Sequence, residues 1–489
     1  MKFMKLNNFY DVIIIGSGPA GSVVAANLSQ TPKSILLIEE GAKLADNFFE
    51  SPLSYLTSKL YRHSGALPFF GPFTFPFGEA KAFGGGSIIN GGLIWNTPAP
   101  IIKRWRQLLP NSVFNSQTWN QTELDIAKKL GISTYSGDFK KDNIASSLLI
   151  NACMDLNWKV VLGPRALEGC QNLNKCSTGC PSGAKQSTPK NFLQTAINNN
   201  CAFSLESKVI SINKRNKSYE ISYEKNKILN KINCNNVIIT AGATQSANLL
   251  KKNNLSKNAG TNFEFHLNFK VLALFPEHIN GKNATIFTHQ VQEFEDEGIL
   301  LMGTNFQLSY VLNSLSHVSP DVASKFIGHF NQLGLYASMI KPDAKAKLHC
   351  ILGQDFGTWK WNTGSFEMAK KSILYLSKLL LKAGALELIL PLRNCIKSCK
   401  SIQEVESHLN ACREKDLIGV SVHGMSACRM GNDEKNSTVD INGKVWNQDN
   451  IFVADSSILP SNLGESPQGT IMATAHELST RWIHQKLLR

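Results

Sequence analysis

The run YDVIIIGSGPAGSVVAANLSQ (residues 10–30) constrains the fold of this 489-residue chain more than any other stretch. It opens with a continuous apolar segment, Val12 to Ile15, the pattern of a strand buried on both faces. Glycines follow at 16, 18 and 21. Gly16 permits a tight turn, Gly18 lets backbone approach a pyrophosphate, and Gly21 lets the next helix pack against the strand. A helix is expected from about Ala20 to Leu28, a turn at Thr31 to Lys33, and a second parallel strand in SILLIEEG. Glu39 ends that strand at the offset of an acid that holds ribose hydroxyls. A 2′-phosphate would want arginine there, so the reading is a dinucleotide site for FAD or NAD rather than NADP.

The length and the 43% hydrophobic content suit two packed bodies with a sizeable pocket. The formal charge is +14, but the lysines are dispersed through polar loops such as NKRNKSYEISYEKNKILNK. A diffusely basic surface is expected, with no nucleic-acid partner. The most apolar stretch, SILYLSKLLLKAGALELILPL (372–392), carries Lys378, Lys382 and Glu387 and is interrupted by Gly384. It reads as an amphipathic helix to about Lys382, a glycine stop and a buried strand, not a membrane span. Peripheral membrane contact stays open. The first ten residues lack a signal peptide's apolar core, which predicts a cytoplasmic location. Eleven cysteines without an export signal argue against a disulfide framework.

EAKAFGGGSIINGGLIWNTP (79–98) sets three consecutive glycines before Ser87 and Asn90, exposing many backbone N–H groups in a small space. Here the chain resembles the glucose-methanol-choline (GMC) oxidoreductases, FAD enzymes with a loop of the form LGGSSxxN. The resemblance implies flavin contacts from Gly85, Gly86, Ser87 and Asn90. NVIITAGATQSANLL (236–250) is similar to the family's strand and GAxxSPxLL signature, with Gly242 at the turn and Ala247 where proline is usual. GTNFEFHLNF resembles GxNLxDH, with Phe265 replacing the aspartate. NIFVADSSILP through ESPQGTIMATAHEL (450–478) resembles the family's C-terminal signature. It implies that Asp455 hydrogen-bonds flavin phosphate or ribityl oxygens. Thr470 and Ile471 would open a helix whose positive end faces the flavin, where reduced flavin carries negative charge.

By the same resemblance, HGMSACRMG (423–431) matches an HxxGTxxMG-like segment whose histidine takes the hydroxyl proton while hydride leaves the substrate carbon. An imidazole with an ordinary pKa near 6.5 is a usable base at neutral pH. His423 and Ser466 are therefore the candidate catalytic residues, for oxidation of an alcohol to an aldehyde or ketone. Ser466 stands where the family usually has asparagine or histidine, and its reach is shorter. Direct contact with the substrate, a water held by Ser466, Glu465 as the substitute and altered activity are the open alternatives. Sterol-oxidase-like or lyase chemistry on the same fold, and a catalytically impaired flavin-binding protein, are the rival functions. The electron acceptor, whether oxygen, a quinone or a redox protein, is not specified.

The implied fold is α/β: a discontinuous Rossmann-like FAD-binding domain and an α+β substrate domain on an antiparallel sheet. The pieces are residues 8–264, with a lid or loop insertion at about 45–80, then 265–415 as substrate domain, and 416–489 returning to the FAD domain. Residues near 211–235 look like a surface hairpin. LPFFGPFTFPFGEA (67–80) is read as an aromatic lid, favouring an apolar alcohol, with ordinary core as the alternative. Cys170, Cys176 and Cys180 lack a fourth ligand and a CxxC spacing, so they are read as a packed loop near the flavin with no metal. That segment is similar to one in the branch of long-chain alcohol oxidases and bacterial choline-dehydrogenase-like enzymes. Cys395 and Cys399 are placed one helical turn apart, His476 and His484 on the terminal helix, and Lys185 and Arg429 among solvated cations, with anion binding as their alternative.

Overall fold

β1 (Phe9–Ile15) forms because its Val-Ile run buries both faces, and it takes the centre of a seven-stranded sheet. The computed structural model describes residues 6–132, 143–279, 281–285, 287–304 and 306–489. β1 pairs in parallel with β2 (Ile35–Ile38) on one side and β9 (Ile228–Ile239) on the other. β6 (Ala202–Ser204) extends the parallel sheet beyond β2, and β20 (Ile451–Val453) lies parallel to β9. The order is therefore drawn from the start, middle and end of the chain. β7 (Ser207–Arg215) and β8 (Ser218–Lys225) continue it antiparallel from β9, a polar meander where the surface hairpin was expected.

The helix Pro19–Leu28 is buried along most of its length, and Asn27 ties it to His476 and Ser479 of the C-terminal helix Gln468–His484. Gly21 is required there. A Cβ would come within 2.0 Å of the Gly16 carbonyl oxygen and 2.6 Å of Thr240 Oγ1.

The second sheet is antiparallel: β17 (Glu387–Ile389), β11 (Leu267–Leu274), β14 (Leu333–Ile340), β13 (Ile299–Gly303), β12 (His289–Val291) and β5 (Val160–Leu162), with β18 (Gly419–Val420) also beside β11. Helix Thr363–Lys382 packs on it and stops before Gly384 at φ +90°, and β17 follows. That is the helix, glycine stop and strand read from residues 372–392. Among the described residues no helix is long and apolar enough to cross a membrane.

The aromatic segment 67–80 is a hairpin whose Phe69 and Phe75 rings pack as core, while its end, Pro76 to Ala80, lines the cavity. β3 (Leu67–Phe70) and β4 (Phe75–Phe77) join β15 (Ala344–Ile351) and β16 (Gln354–Trp361) in a third sheet. Phe69 and Phe75 are fully buried and stack at 5.2 Å, and both pack against Phe265. Aromatic rings this large fill an interface more favourably than they cover an opening. Phe75→Ala is expected to cost about 3–5 kcal/mol of stability, read by denaturant unfolding, with KM for substrate unchanged. A lid residue would show the reverse.

Candidate active site

Between the first two sheets lies a cavity of about 1400 Å³. That exceeds the roughly 300–1,000 Å³ of an ordinary ligand pocket, so it has room for a dinucleotide and a substrate together. Gly16, Gly18, Gly85 and Gly86 line one end. Gly16 has φ +103° and Gly85 φ +52°, both in the region that favours glycine. A Cβ on Gly85 would fall 2.6 Å from Gly18 Cα, so the two glycine turns touch backbone to backbone, while Gly86 faces open space.

Ser17 locks these turns together. Its hydroxyl donates to Glu39 Oε2 (2.7 Å) and accepts the Gly84 N–H (2.9 Å), and its own N–H also donates to Glu39 Oε2 (2.8 Å). Glu39 Oε1 accepts the Gly41 N–H and keeps a lone pair at the cavity wall. Burial raises the Glu39 pKa against these donors. The helix Pro19–Leu28 has no side-chain cap, leaving its first-turn N–H groups aimed at the same end. Further along the wall, both amide atoms of buried Asn248 lack a partner among the described residues. A glycine cradle, an uncapped helix start, a ribose-type carboxylate and an orphaned amide together fit a bound FAD.

Other residues assigned to this site divide by where their side chains point. Asn90 lines the cavity, bonded to Gln468 Oε1 and accepting the Gly92 N–H. Gly242 lines it at φ +90°. Ser87 does not: its hydroxyl bonds the Gly84 carbonyl and Thr188 within the loop. Thr470 is likewise turned away, onto Thr97, and the C-terminal helix opens at Gln468 rather than at Thr470. Ser466, Gln468 and Ile471 present that helix start to the cavity. Asp455 reaches the wall, but four protein donors occupy its oxygens: Gly242 N–H, the Ser246 hydroxyl, and the Ser457 N–H and hydroxyl. It clasps the C-terminal segment to the turn after β9, and is not free to bond flavin phosphate or ribityl oxygens as expected.

Three charged residues not anticipated also line this end. Arg62 bridges Glu40 (2.8 Å) and Glu79 (3.2 Å), and the Thr244 hydroxyl donates to Glu79. Lys185 is neither solvated nor anion-binding. It is buried, and its ammonium donates to the carbonyls of Ile88, Asn90 and Cys176, clipping the Gly-rich loop to the cysteine loop. Burial lowers its pKa to about 8. Cys176 is correspondingly buried and pushed up to about 11, as suits a packed loop.

His423 sits at the other side of the cavity, and strand register explains how. β10 (Glu264–Phe265) pairs antiparallel with β19 (Gly424–Met425), Phe265 opposite Gly424. The next pair outward is His266 opposite His423, with Nδ1···Nδ1 3.1 Å and rings perpendicular at 89°. Gly424 is needed because a Cβ would meet the Phe263 ring at 2.6 Å. His266 was missed in the sequence, although it stands next to the unusual Phe265.

The hydrogen bonds fix the tautomers. Burial holds His423 down at about 4 and His266 well below its ordinary value, so both are neutral at pH 7. The Gly464 N–H donates to His266 Nε2 (2.9 Å), which leaves the His266 proton on Nδ1. That proton faces His423 Nδ1, so the proton of His423 is on Nε2. His423 lines the cavity, with Nε2 on the side of the ring away from His266. Ser466 lines the cavity too, its N–H turned to the Glu465 carboxylate. Glu465 itself, raised to about 7 by burial, is held by Gln290 away from the cavity wall.

Among the described residues, the one cluster with metal-ligand geometry is Cys395, Cys399 and His408, outside the cavity. The two thiols are 3.8 Å apart in an irregular segment rather than on a helix. His476 is tied to Asn27, His484 is exposed, and Arg429 bonds the Asn436 carbonyl, all away from the cavity.

The N-terminal and C-terminal models of the GMC oxidoreductases match residues 10–268 and 364–475. An uncharacterised GMC-type oxidoreductase of Mycobacterium tuberculosis is 24% identical, over 95% of this chain and 74% of its own. A long-chain-alcohol oxidase of Arabidopsis thaliana is 23% identical, over 96% of this chain and 66% of its own. Pyridoxine 4-oxidase from Mesorbium loti shares the fold at TM-score 0.72 and 14% identity, covering 97% of this chain and 99% of its own.

Proposed function

The chain belongs to the GMC oxidoreductase family, and on that premise we propose that it oxidises the CH–OH group of an apolar alcohol to a carbonyl. Its cofactor is FAD, which when bound supplies the hydride acceptor. The observation that carries the reading is His423 on the wall of the glycine-lined cavity, backed by the buried His266. Apolar substrate follows from the wall beside that pair, which presents Met302, Leu308, Ala337 and Met339. The likeness to the long-chain-alcohol oxidase supports the same class, with oxygen as acceptor.

In the resting tautomer, His423 Nε2–H donates to the substrate hydroxyl oxygen and holds it in place. To take the hydroxyl proton at Nε2, the rings must exchange tautomer, with His423 Nδ1–H now donating to His266 Nδ1 and His266 protonated on Nε2. The Gly464 N–H then faces a second donor in a buried site, at a cost of about 1–3 kcal/mol or more. His423 thus serves first as anchor and then as general base. Ser466 is the neighbouring hydroxyl at the cavity wall, positioned to contact the same oxygen.

The test is to purify the yellow protein and measure anaerobic bleaching by a panel of alcohols. Bound flavin that no alcohol reduces overturns the reading. The pH profile is a second check. With His423 neutral down to about 4, the reduction rate is expected to stay level from pH ~8 to ~5.5 and to fall below that as the base is protonated. An inflection at the ordinary imidazole value would assign the proton to another group.

A further inference from the structure

Two residues of one strand face point along the same cavity wall. β11 alternates Leu267, Phe269 and Val271 into the core with Asn268 and Lys270 onto the cavity, in line with His266 just before the strand. The strand runs from the His266–His423 pair toward an apolar cluster of Leu272, Phe306 and Phe326. Lys270 therefore lies roughly 14 Å from His266 along the strand, at the distal end of the substrate space.

Lys270 is half-buried on the cavity wall, and its ammonium contacts the Tyr310 ring at 4.4 Å. Among the described residues it has no carboxylate partner and no hydrogen-bond acceptor. The cavity's carboxylates are committed elsewhere: Glu40 and Glu79 to Arg62, Glu39 to Ser17 and Gly41, and Asp455 to its four donors. Burial alone lowers the Lys270 pKa to about 8, which still leaves it a cation at neutral pH. A cation on a cavity wall that no side chain neutralises is placed to pair with a ligand that brings the counter-charge.

We propose that Lys270 is an anion subsite for the far end of the substrate, so that the preferred substrate is an aliphatic alcohol carrying a terminal carboxylate. A single ammonium on an aromatic face, with only the neutral polar side chains Asn268 and Thr304 beside it on the wall, suits a monoanion better than a phosphate, which would call on more charged donors. Met302, Ala337 and Met339 of the neighbouring strands take the aliphatic spacer, with Asn268 beside it, while His423 holds the hydroxyl. The second half of this assignment rests on the alcohol-oxidation reading; the anion subsite does not.

The test uses the FAD-loaded protein and two probes of equal length, decanoate and decanol, titrated by calorimetry, with turnover of ω-hydroxydecanoate and decanol measured in parallel. Wild type is expected to bind decanoate more tightly than decanol. Lys270→Met should weaken decanoate by roughly 10–100-fold, the worth of one charge-assisted bond, and leave decanol unchanged. Lys270→Arg should retain decanoate binding. In turnover, Lys270→Met should raise KM for the hydroxy acid and leave kcat within a few fold, because the reacting end is untouched. Equal binding of both probes by wild type, or decanoate binding that survives Lys270→Met, overturns the proposal. Decanoate binding that requires Lys270 in a protein whose flavin no alcohol bleaches supports the anion subsite and removes the alcohol-oxidation reading alone.

Discussion

Replacing His423 by alanine is expected to slow anaerobic flavin reduction by roughly 10²–10⁴-fold, the usual worth of a positioned acid–base group, with FAD still bound at one per chain. The cofactor should stay because the cradle formed by Gly16, Gly18, Gly85 and Glu39 makes no hydrogen bond to residue 423. His266→Ala should reproduce part of the loss. It removes the proton that holds the His423 tautomer but leaves the cavity-facing imidazole in place. Stopped-flow absorbance of the oxidised flavin band measures both, and wild-type rates in His423→Ala would place the chemistry elsewhere.

Gly85→Val carries the second large effect, on cofactor retention. The valine would occupy φ +52°, where a β-branched side chain is strained, and its Cβ would be driven to within 2.6 Å of Gly18 Cα. The obstacle is backbone, so no side chain can rotate aside. Relieving it requires the loop to part from the helix start, which also pulls Gly84 from Ser17 and Ser17 from Glu39. A penalty of about 3 kcal/mol corresponds to roughly 100-fold weaker FAD binding. Absorbance of the purified protein and fluorescence titration of the released form read this directly. Gly86→Ala, at a position with open space, is the control that should keep the cofactor if the defect is steric contact between the two turns.

The nucleotide end was legible in the sequence because local geometry there is dictated by single residues. A glycine at φ +103°, a glycine packed against a carbonyl and an acid closing a strand all leave one-letter signatures. The helix, glycine stop and strand of 363–389 were legible for the same reason. The other end depends on long-range register. His266 meets His423 only because Phe265 lies opposite Gly424 across 159 positions of chain, and no local pattern records that pairing. Phe69 to Phe77 misled because a dense aromatic run has the same composition in a core as in a lid. Lys185 misled because a lysine surrounded by polar residues in sequence can still bury its head against three carbonyls. Asp455 lies at the wall, but two of its four donors come from the turn after β9, more than 200 positions away, and two from its own turn.

The position of β20 beside β9 has a consequence for the order in which the molecule can be made. The parallel sheet gains that strand only from residues 451–453, and the helix start that closes the cavity comes later still, at Gln468. During vectorial synthesis the leading βαβ unit emerges first, yet the compartment has no far wall until residues 451–468 have followed it. Nascent chains stalled before residue 451 should therefore be colourless, and capture of the flavin waits for the return strand and the helix start at Gln468.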